Sequence, residues 1–459
     1  MAIVTPQLGD AAETFLAAHP ELRSVHLVWT DLCGVQRGKV LRRDEVVAAW
    51  RDGRFFPISA LALDVTGADV VETGLVWDEG DRDMLLWPVA GSLATMPWSD
   101  EPAAQYLAYV CDLDGRRHYA DPRNLLAGTV ERFEPLGLTP VAAVELEFFL
   151  MDRDSALAGR PMPPVSLTSG ARPQHYQAYN LQDLDDFAPF FHDLYAYAEV
   201  QGLPTKTLIS EYAPGQLEIV LRHRADVLKA ADEAIMLKRL IRATATKHGL
   251  VASFMAKPYA QWTGCGMHIH VSLADRAGRN LFAAASPPDN PLLMQALAGL
   301  MATMKDSTLI LAPNANSYRR FRNNSYAPTS VSWGINNRTV SLRLPAGAAE
   351  TCHIEHRPAG ADANPYLVLS VVLAGILHGI ENRLEPGPAT TGNGYEALGL
   401  DRIPTEWTHA IEAFEASEVL RSSLGDDFVR CFAAIKRAEA DRFFAEPTAR
   451  DFSWYLRTV

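Results

Sequence analysis

Residues 144–150 alternate apolar and acidic side chains: Val144, Leu146, Phe148 and Leu150 fall on one parity, Glu145 and Glu147 on the other. A period of two predicts a strand with one face turned to a core. At a rise of about 3.3 Å per residue, the two carboxylates stand roughly 7 Å apart on the same face. Two readings are open for such a pair. It is the solvated outer face of an edge strand, or it shares a divalent cation held by oxygen ligands.

The same division recurs along the chain. Predicted strands at 206–211 and 216–221 carry Glu211 and Glu218. In 267–272, Met267, Ile269 and Val271 oppose His268, His270 and Ser272. Strand 339–344 carries Ser341 and Arg343, and the run 353–357 puts His353, Glu355 and Arg357 on one side. Strands of this kind, taken together, suggest one sheet whose concave face is a polar site. Carboxylates with an imidazole suit two or more Mg²⁺ or Mn²⁺ ions, and guanidiniums suit phosphate or carboxylate. Together these are the parts of phosphoryl transfer. The sequence has no GxxxxGK[ST], GxGxxG or GxSxG run, so P-loop, dinucleotide-fold and hydrolase-elbow sites are not supported.

At 459 residues with 42 basic and 55 acidic side chains, the net charge is -13. That balance disfavours nucleic acid as a partner. Five scattered cysteines without a CxxC predict neither a disulfide framework nor a zinc site. The N-terminal MAIVTPQLGDAAETF has no basic region followed by an apolar run, so no signal peptide is expected. The most apolar segment, 366–380, is too short to span a bilayer. The expected location is the cytoplasm, without membrane attachment.

Strand and turn signals dominate the first hundred residues: strands at 25–30 and 37–41, then short strands within 61–91. A Pro-containing polar stretch at 97–102 predicts a boundary there. The larger unit is expected to open with a strand at 106–113. It continues with a helix at 124–133, the acidic strand, a Pro/Gly/Ser-rich surface loop at 153–180, helices at 187–201, 225–248, 291–311 and 364–382, and a helical remainder from 405.

These motifs resemble the glutamine synthetase family, from about residue 25 to the C-terminus. The matching runs are 144–149, Gly215-Gln216-Leu217-Glu218, Gly264-Cys265-Gly266-Met267-His268-Ile269-His270, Asn316-Ser317-Tyr318-Arg319-Arg320, Asn337-Arg338, Ile354-Glu355-His356-Arg357 and Asn364-Pro365-Tyr366-Leu367. The resemblance implies an α+β fold. A small β-grasp-like domain would span 1–103, and a catalytic domain, an antiparallel sheet or half-barrel flanked by helices, would span 104–459. It also implies ATP as co-substrate and two or three Mg²⁺ or Mn²⁺ ions per site. Glu147, Glu211 and Glu218 would hold one ion; Glu145, His268 and Glu355 would hold a second. His270 and Ser272 would lie at the nucleotide. Arg338 and Arg343 would hold the γ-phosphate. Gly264, Arg320 and Arg357, beside His268, would bind glutamate. Sites would lie between subunits of a homo-oligomeric ring, a dodecamer, with Asp83 supplied by the neighbour.

Ammonia-using members carry an Asp where this chain has Pro57, and a Glu before an Ala-Pro pair where it has Tyr326. Losing both carboxylates removes an anionic ammonium pocket and leaves an aromatic face. The runs 319–321, 333–334, 337–339 and 360–364 resemble the γ-glutamylpolyamine and γ-glutamylputrescine synthetase branch. The implied reaction joins the γ-carboxylate of glutamate to an organic amine, a polyamine or a small monoamine such as ethanolamine, through γ-glutamyl phosphate. An ammonia-using enzyme and an inactive ring scaffold are the alternatives. Two further departures bear on nucleotide affinity and on control. Residues 348–353 lack the Lys and Arg that ammonia users place near ATP phosphates, and no Asn-Leu-Tyr-Asp-Leu-Pro run offers a tyrosine for adenylylation.

Overall fold

Residues 7–459 are described by a computed structural model; residues 1–6 of the N-terminal stretch read above lie outside them. A six-stranded mixed sheet comes first. Its strands are β1 (Ser24–Thr30), β2 (Gln36–Arg42), β3 (Arg54–Pro57), β4 (Asp83–Pro88), β5 (Ala94–Thr95) and β6 (Ala103–Cys111). They run in the order β2-β1-β6-β4-β3, with β5 also on β6. β1 and β6 pair in parallel and the other neighbours are antiparallel. β6 therefore closes the first sheet, where the sequence places that strand at the start of the second unit. Both of its faces are covered, so it reads as a continuous apolar run, and nothing local says which sheet takes it. Of the short strands expected within 61–91, only β4 forms. The rest of that stretch is turns and one short 3₁₀ helix, Val71–Thr73, with Gly67, Gly74, Gly80 and Asp81 in the left-handed region.

The second sheet has eight strands: β7 (Thr139–Asp152), β8 (Thr205–Ser210), β9 (Gln216–Leu221), β10 (Leu250–Ser253), β11 (Met267–Ala274), β12 (Trp333–Ile335), β13 (Leu342–Leu344) and β14 (Ile354–His356). The order is β12-β13-β14-β11-β7-β9-β8, with β10 on the far end of β7. All the acidic and histidine-bearing strands thus share one sheet. The apolar parity of β7, from Val144 to Leu150, is fully buried. Helix Val227–Lys247 covers that face, with the expected stripe Val227, Ala230, Ala234, Leu237 and Ile241 buried. Helices from Trp407 onward complete the C-terminal part.

Local signals explain why the helices start where they do. Asp121, Asp226, Asn290 and Asn364 each cap a helix by accepting a backbone N–H two or three residues on. Asn364 does more. Its amide nitrogen donates to the Asp31 carbonyl of the first unit at 3.0 Å. Pro365 then takes the first helical turn, and the Tyr366 hydroxyl donates to Asp232 at 2.6 Å. The Asn-Pro-Tyr run is thus a cap, a helix start and a tether to helix Val227–Lys247.

Helices Pro291–Leu311 and Pro365–Glu381 cross at glycines. A Cβ on Gly299 would collide with the Gly375 carbonyl oxygen and stand 2.5 Å from Gly379 N. The first of these helices leads into the segment carrying Arg320; the second follows the segment carrying Arg357. Gly299→Ala is expected to destabilise the protein by about 3 kcal/mol through overpacking against backbone that cannot retreat. A urea midpoint unchanged by the substitution would show that the helices do not cross this closely.

Candidate active site

The register of the second sheet builds the site. His268 on β11 lies opposite Glu145 on β7, and Glu147 lies opposite Glu218 on β9. Glu355 on β14 sits between His270 on β11 and Arg343 on β13. Glu211 follows directly on β8. Parity puts these side chains on the face away from the core. His268 Nδ1 is 2.5 Å from Glu145 Oε1. Arg343 donates to Glu355 at 2.7 Å, and Arg357 pairs with its other oxygen. Glu147 accepts from the backbone N–H of Gly266 at 2.7 Å.

The Gly264-Cys265-Gly266 run has a steric reason. A Cβ on Gly264 would stand 2.5 Å from the Ala256 carbonyl and 3.0 Å from Arg320 Cγ. One on Gly266 would stand 2.7 Å from Arg320 Nη2 and 2.8 Å from His268 Nε2. Only glycine lets the guanidinium and the imidazole close on this strand. Arg320 itself is buried and donates to the carbonyl of Pro358 at 2.8 Å.

Electrostatics divides the carboxylates into two sets. Burial works against the charge of Glu145, but its hydrogen bond to His268 and the charges of His268 and His270 hold it well below the ordinary carboxylate range. Burial also opposes Glu355, yet Arg357, His268 and His270 bring it down to about 2. Glu211 rises to about 8 through burial and the charge of Glu147. Glu218 rises to about 10 through burial and the charges of Glu145, Glu147 and Glu211. One set is paired with cations; the other is crowded by like charge.

A cavity of about 240 Å³ brings together Glu145, Glu147, Glu211, Glu218, Gly264, His268, Arg320, Tyr326, Arg338 and Arg357. A second cavity, of about 440 Å³, contains Ser272 with His223 and His353. His270 lies between the two, 3.4 Å from Glu145 and 3.0 Å from His353. Asp83 is exposed on β4 in the first sheet and lines neither cavity.

Several residues at the site escaped the sequence reading. His353, which the sequence gives no role, faces His270, with ring centroids 5.1 Å apart. Its parity with Glu355 and Arg357 was the available signal. The loop expected to run along the surface at 153–180 opens with a short helix, Arg153–Leu157, and ends by placing Tyr179 on the acidic cavity. Tyr212 and Gln216 line it as well. Gln216 shares the parity of Glu218, and Tyr212 adjoins Glu211. Nothing local marked Tyr179.

Glu145, His268 and Glu355 each offer a ligand atom within 4.8 Å of the others'. Oxygen donors with one imidazole fit a divalent cation such as Mg²⁺ or Mn²⁺. The Nε groups of Arg343 and Arg357 are buried without a hydrogen-bond partner, donors suited to an anionic substrate. No helix among the described residues is long and apolar enough to cross a membrane.

The sheet, its acidic and histidine face and the guanidiniums around it define a cation-assisted site for anionic substrates. Residues 119–455 match the glutamine synthetase catalytic domain, and the chain belongs to the glutamine synthetase family. It is 40% identical to the γ-glutamylputrescine synthetase PuuA of Escherichia coli (strain K12), over 97% of this chain and 94% of that protein. It is 35% identical to a glutamate–isopropylamine ligase of a Pseudomonas species, covering 92% of each. Identity to the γ-glutamylethanolamide synthetase GlnA4 of Streptomyces coelicolor is 32%, over 99% and 96%. A solved GmaS–ADP complex superposes with a TM-score of 0.83 at 28% identity, covering 98% of this chain and 99% of that one.

The raised carboxyls carry a measurable consequence. Without a cation, Glu218 and Glu211 hold protons at neutral pH, because their values of about 10 and about 8 lie above it. A cation bound there displaces those protons, so its affinity rises with pH through that range. Calorimetric Mg²⁺ titration at pH 7 in two buffers of different ionisation heat should show release of more than half a proton per site. Heats independent of buffer would refute the assignment.

Proposed function

We propose that this chain is an ATP-dependent ligase that joins the γ-carboxylate of glutamate to an organic amine. One observation carries the reading: four glutamates, His268 and the guanidiniums of Arg320, Arg338 and Arg357 converge on one cavity that Tyr326 also lines. The three relatives named above are each a ligase or synthetase for a γ-glutamyl derivative of an organic amine or of ethanolamine.

Each side chain has a part in this reading. Glu147, Glu211 and Glu218 hold one divalent cation; Glu145, His268 and Glu355 hold a second, and a third is compatible with the family. Bound there, the cations neutralise phosphate charge as it shifts from ATP to the acceptor oxygen. Arg320, Arg357 and the backbone at Gly264 orient glutamate, so that a γ-carboxylate oxygen attacks the γ-phosphorus and ADP leaves. Arg338 and Arg343 stabilise the transferring group. His270 and Ser272 face the nucleotide. The amine nitrogen then attacks the γ-carbonyl carbon, and phosphate leaves. Asp83 lines neither cavity of its own chain; a homo-oligomeric ring in which a neighbour supplies it, a dodecamer in the cytoplasm, rests on the family resemblance alone. We place the division between the two units after Cys111, where the first sheet ends.

The test is phosphate release from ATP with glutamate, Mg²⁺ and one amine at a time: ammonium, putrescine, spermidine, ethanolamine and methylamine. Turnover with an organic amine and little with ammonium is expected; ammonium alone would restore the ammonia-using alternative. Glu145→Ala should lower kcat at least about 100-fold in a protein that still folds, with a lower thermal midpoint, because His268 loses the carboxylate it is paired with. Near-normal kcat would remove Glu145 from the cation site. Arg357→Ala should raise the KM for glutamate, and an unchanged KM would take Arg357 out of substrate binding.

A further inference from the structure

We propose that Tyr212, stacked on Tyr326, sets which amine the site accepts, favouring a primary amine with a carbon chain over ammonium. The inference rests on the ligase reading and concerns its acceptor subsite. Tyr212 lies on the turn between β8 and β9, one residue after Glu211. Tyr326 comes from the segment after Arg320. Their ring centroids are 5.4 Å apart at an interplanar angle of 27°, and their hydroxyls are 3.4 Å apart. Both line the cavity that holds the four glutamates.

The geometry of Tyr326 is held, not incidental. Its φ of 58° lies in the left-handed region, which a bulky side chain adopts only where its surroundings impose it. Three contacts impose it here. Arg357 donates to the Tyr326 carbonyl at 3.3 Å, the Ser325 hydroxyl donates to the Arg322 carbonyl at 2.6 Å, and the Tyr395 hydroxyl donates to the Ala327 carbonyl at 3.0 Å. Tyr212 is fixed from the other side, where its carbonyl accepts from Gln177 N at 3.3 Å. Tyr326 is 46% exposed, so the stacked pair forms a wall that runs from the cavity out to solvent.

The chemistry of the acceptor gives this wall its meaning. The carboxylates lining the cavity are those of the cation cluster, Glu145, Glu147, Glu211 and Glu218. Ammonium is small and strongly hydrated, and a site that takes it must replace its water with anionic oxygens. The nucleophile in the second step is the neutral amine, so attraction of a cation to the ring face does not help the reacting nitrogen. What the rings add is apolar contact with carbon. A methylene in such contact is worth roughly tenfold or more in kcat/KM. An amine whose chain lies along the two rings gains that contact; ammonia does not.

The measurement is the ratio of kcat/KM for butylamine to that for ammonium in the wild type, Tyr212→Ala and Tyr212→Phe. The wild type should favour butylamine. Tyr212→Ala should lower the ratio about tenfold, chiefly through the KM for butylamine. Tyr212→Phe should keep it within about twofold, because the ring carries the effect and the hydroxyl does not. A general loss of folded protein changes both numerators alike and leaves the ratio unmoved; if Tyr212→Ala does not fold, Tyr212→Ser is read in its place with the same expectation. A wild type active on butylamine whose ratio survives loss of the ring overturns this inference alone. A wild type that turns over another organic amine of the panel but not butylamine also overturns this inference alone; one that prefers ammonium, or turns over no amine, overturns the ligase reading and this inference with it.

Discussion

Like charges held close together on one half-buried sheet face are the constraint around which this molecule is arranged. Unpaired ionised carboxylates in such a place are costly, and each one here has its own remedy. Glu145 leans on His268, Glu355 is gripped by Arg343 and Arg357, and Glu147 takes the backbone N–H of Gly266. Glu211 and Glu218 keep their protons. Much of the surrounding sequence answers to these remedies. Two glycines make room for His268 and Arg320, and short strands at one edge of the sheet bring in Arg343 and Glu355.

The way the two units meet follows from the same need for precision. Asn364 starts the helix after Arg357 and also bonds across to Asp31. Gln36 of the first sheet donates to the Ile235 carbonyl at 2.7 Å, and Arg239 donates to Gln105 at 2.7 Å. Helix Val227–Lys247, which backs the acidic sheet, is thus anchored from the first unit too. A site assembled from several strands and the loops between them is held from behind by a helix that both units grip.

Much of this was legible in the sequence because it repeats. One parity apolar and the other ionisable, in strand after strand, encodes a single two-faced sheet, and the polar parity picked out Glu145, Glu147, Glu218, His268 and Arg343. Long helices with caps and apolar stripes were equally plain; 291–311 is helical over that whole range. What was not legible lacked a period. β6 is apolar on both faces and could belong to either sheet. Tyr179 reaches the site at the end of an irregular loop, and its neighbours in sequence give no sign of what it faces. His353 shares the parity of Glu355 and Arg357, but parity alone does not tell a site histidine from one satisfied locally. The sheet's pairings, which no local pattern specifies, decided each of these.

The turn between β8 and β9 holds two neighbouring side chains with separate duties. Glu211 points to the charged cluster, and Tyr212 points to the mouth. Glu211 sits among the carboxylates and Tyr212 against the Tyr326 ring, so the two can vary independently. On the proposed reading, the costly part of the reaction, activating a carboxylate with ATP, draws on Glu211 and its partners, and the choice of what is attached draws on Tyr212. A lineage built on this turn can diversify its products by exchanging a single ring while leaving the energy-coupling apparatus as it was.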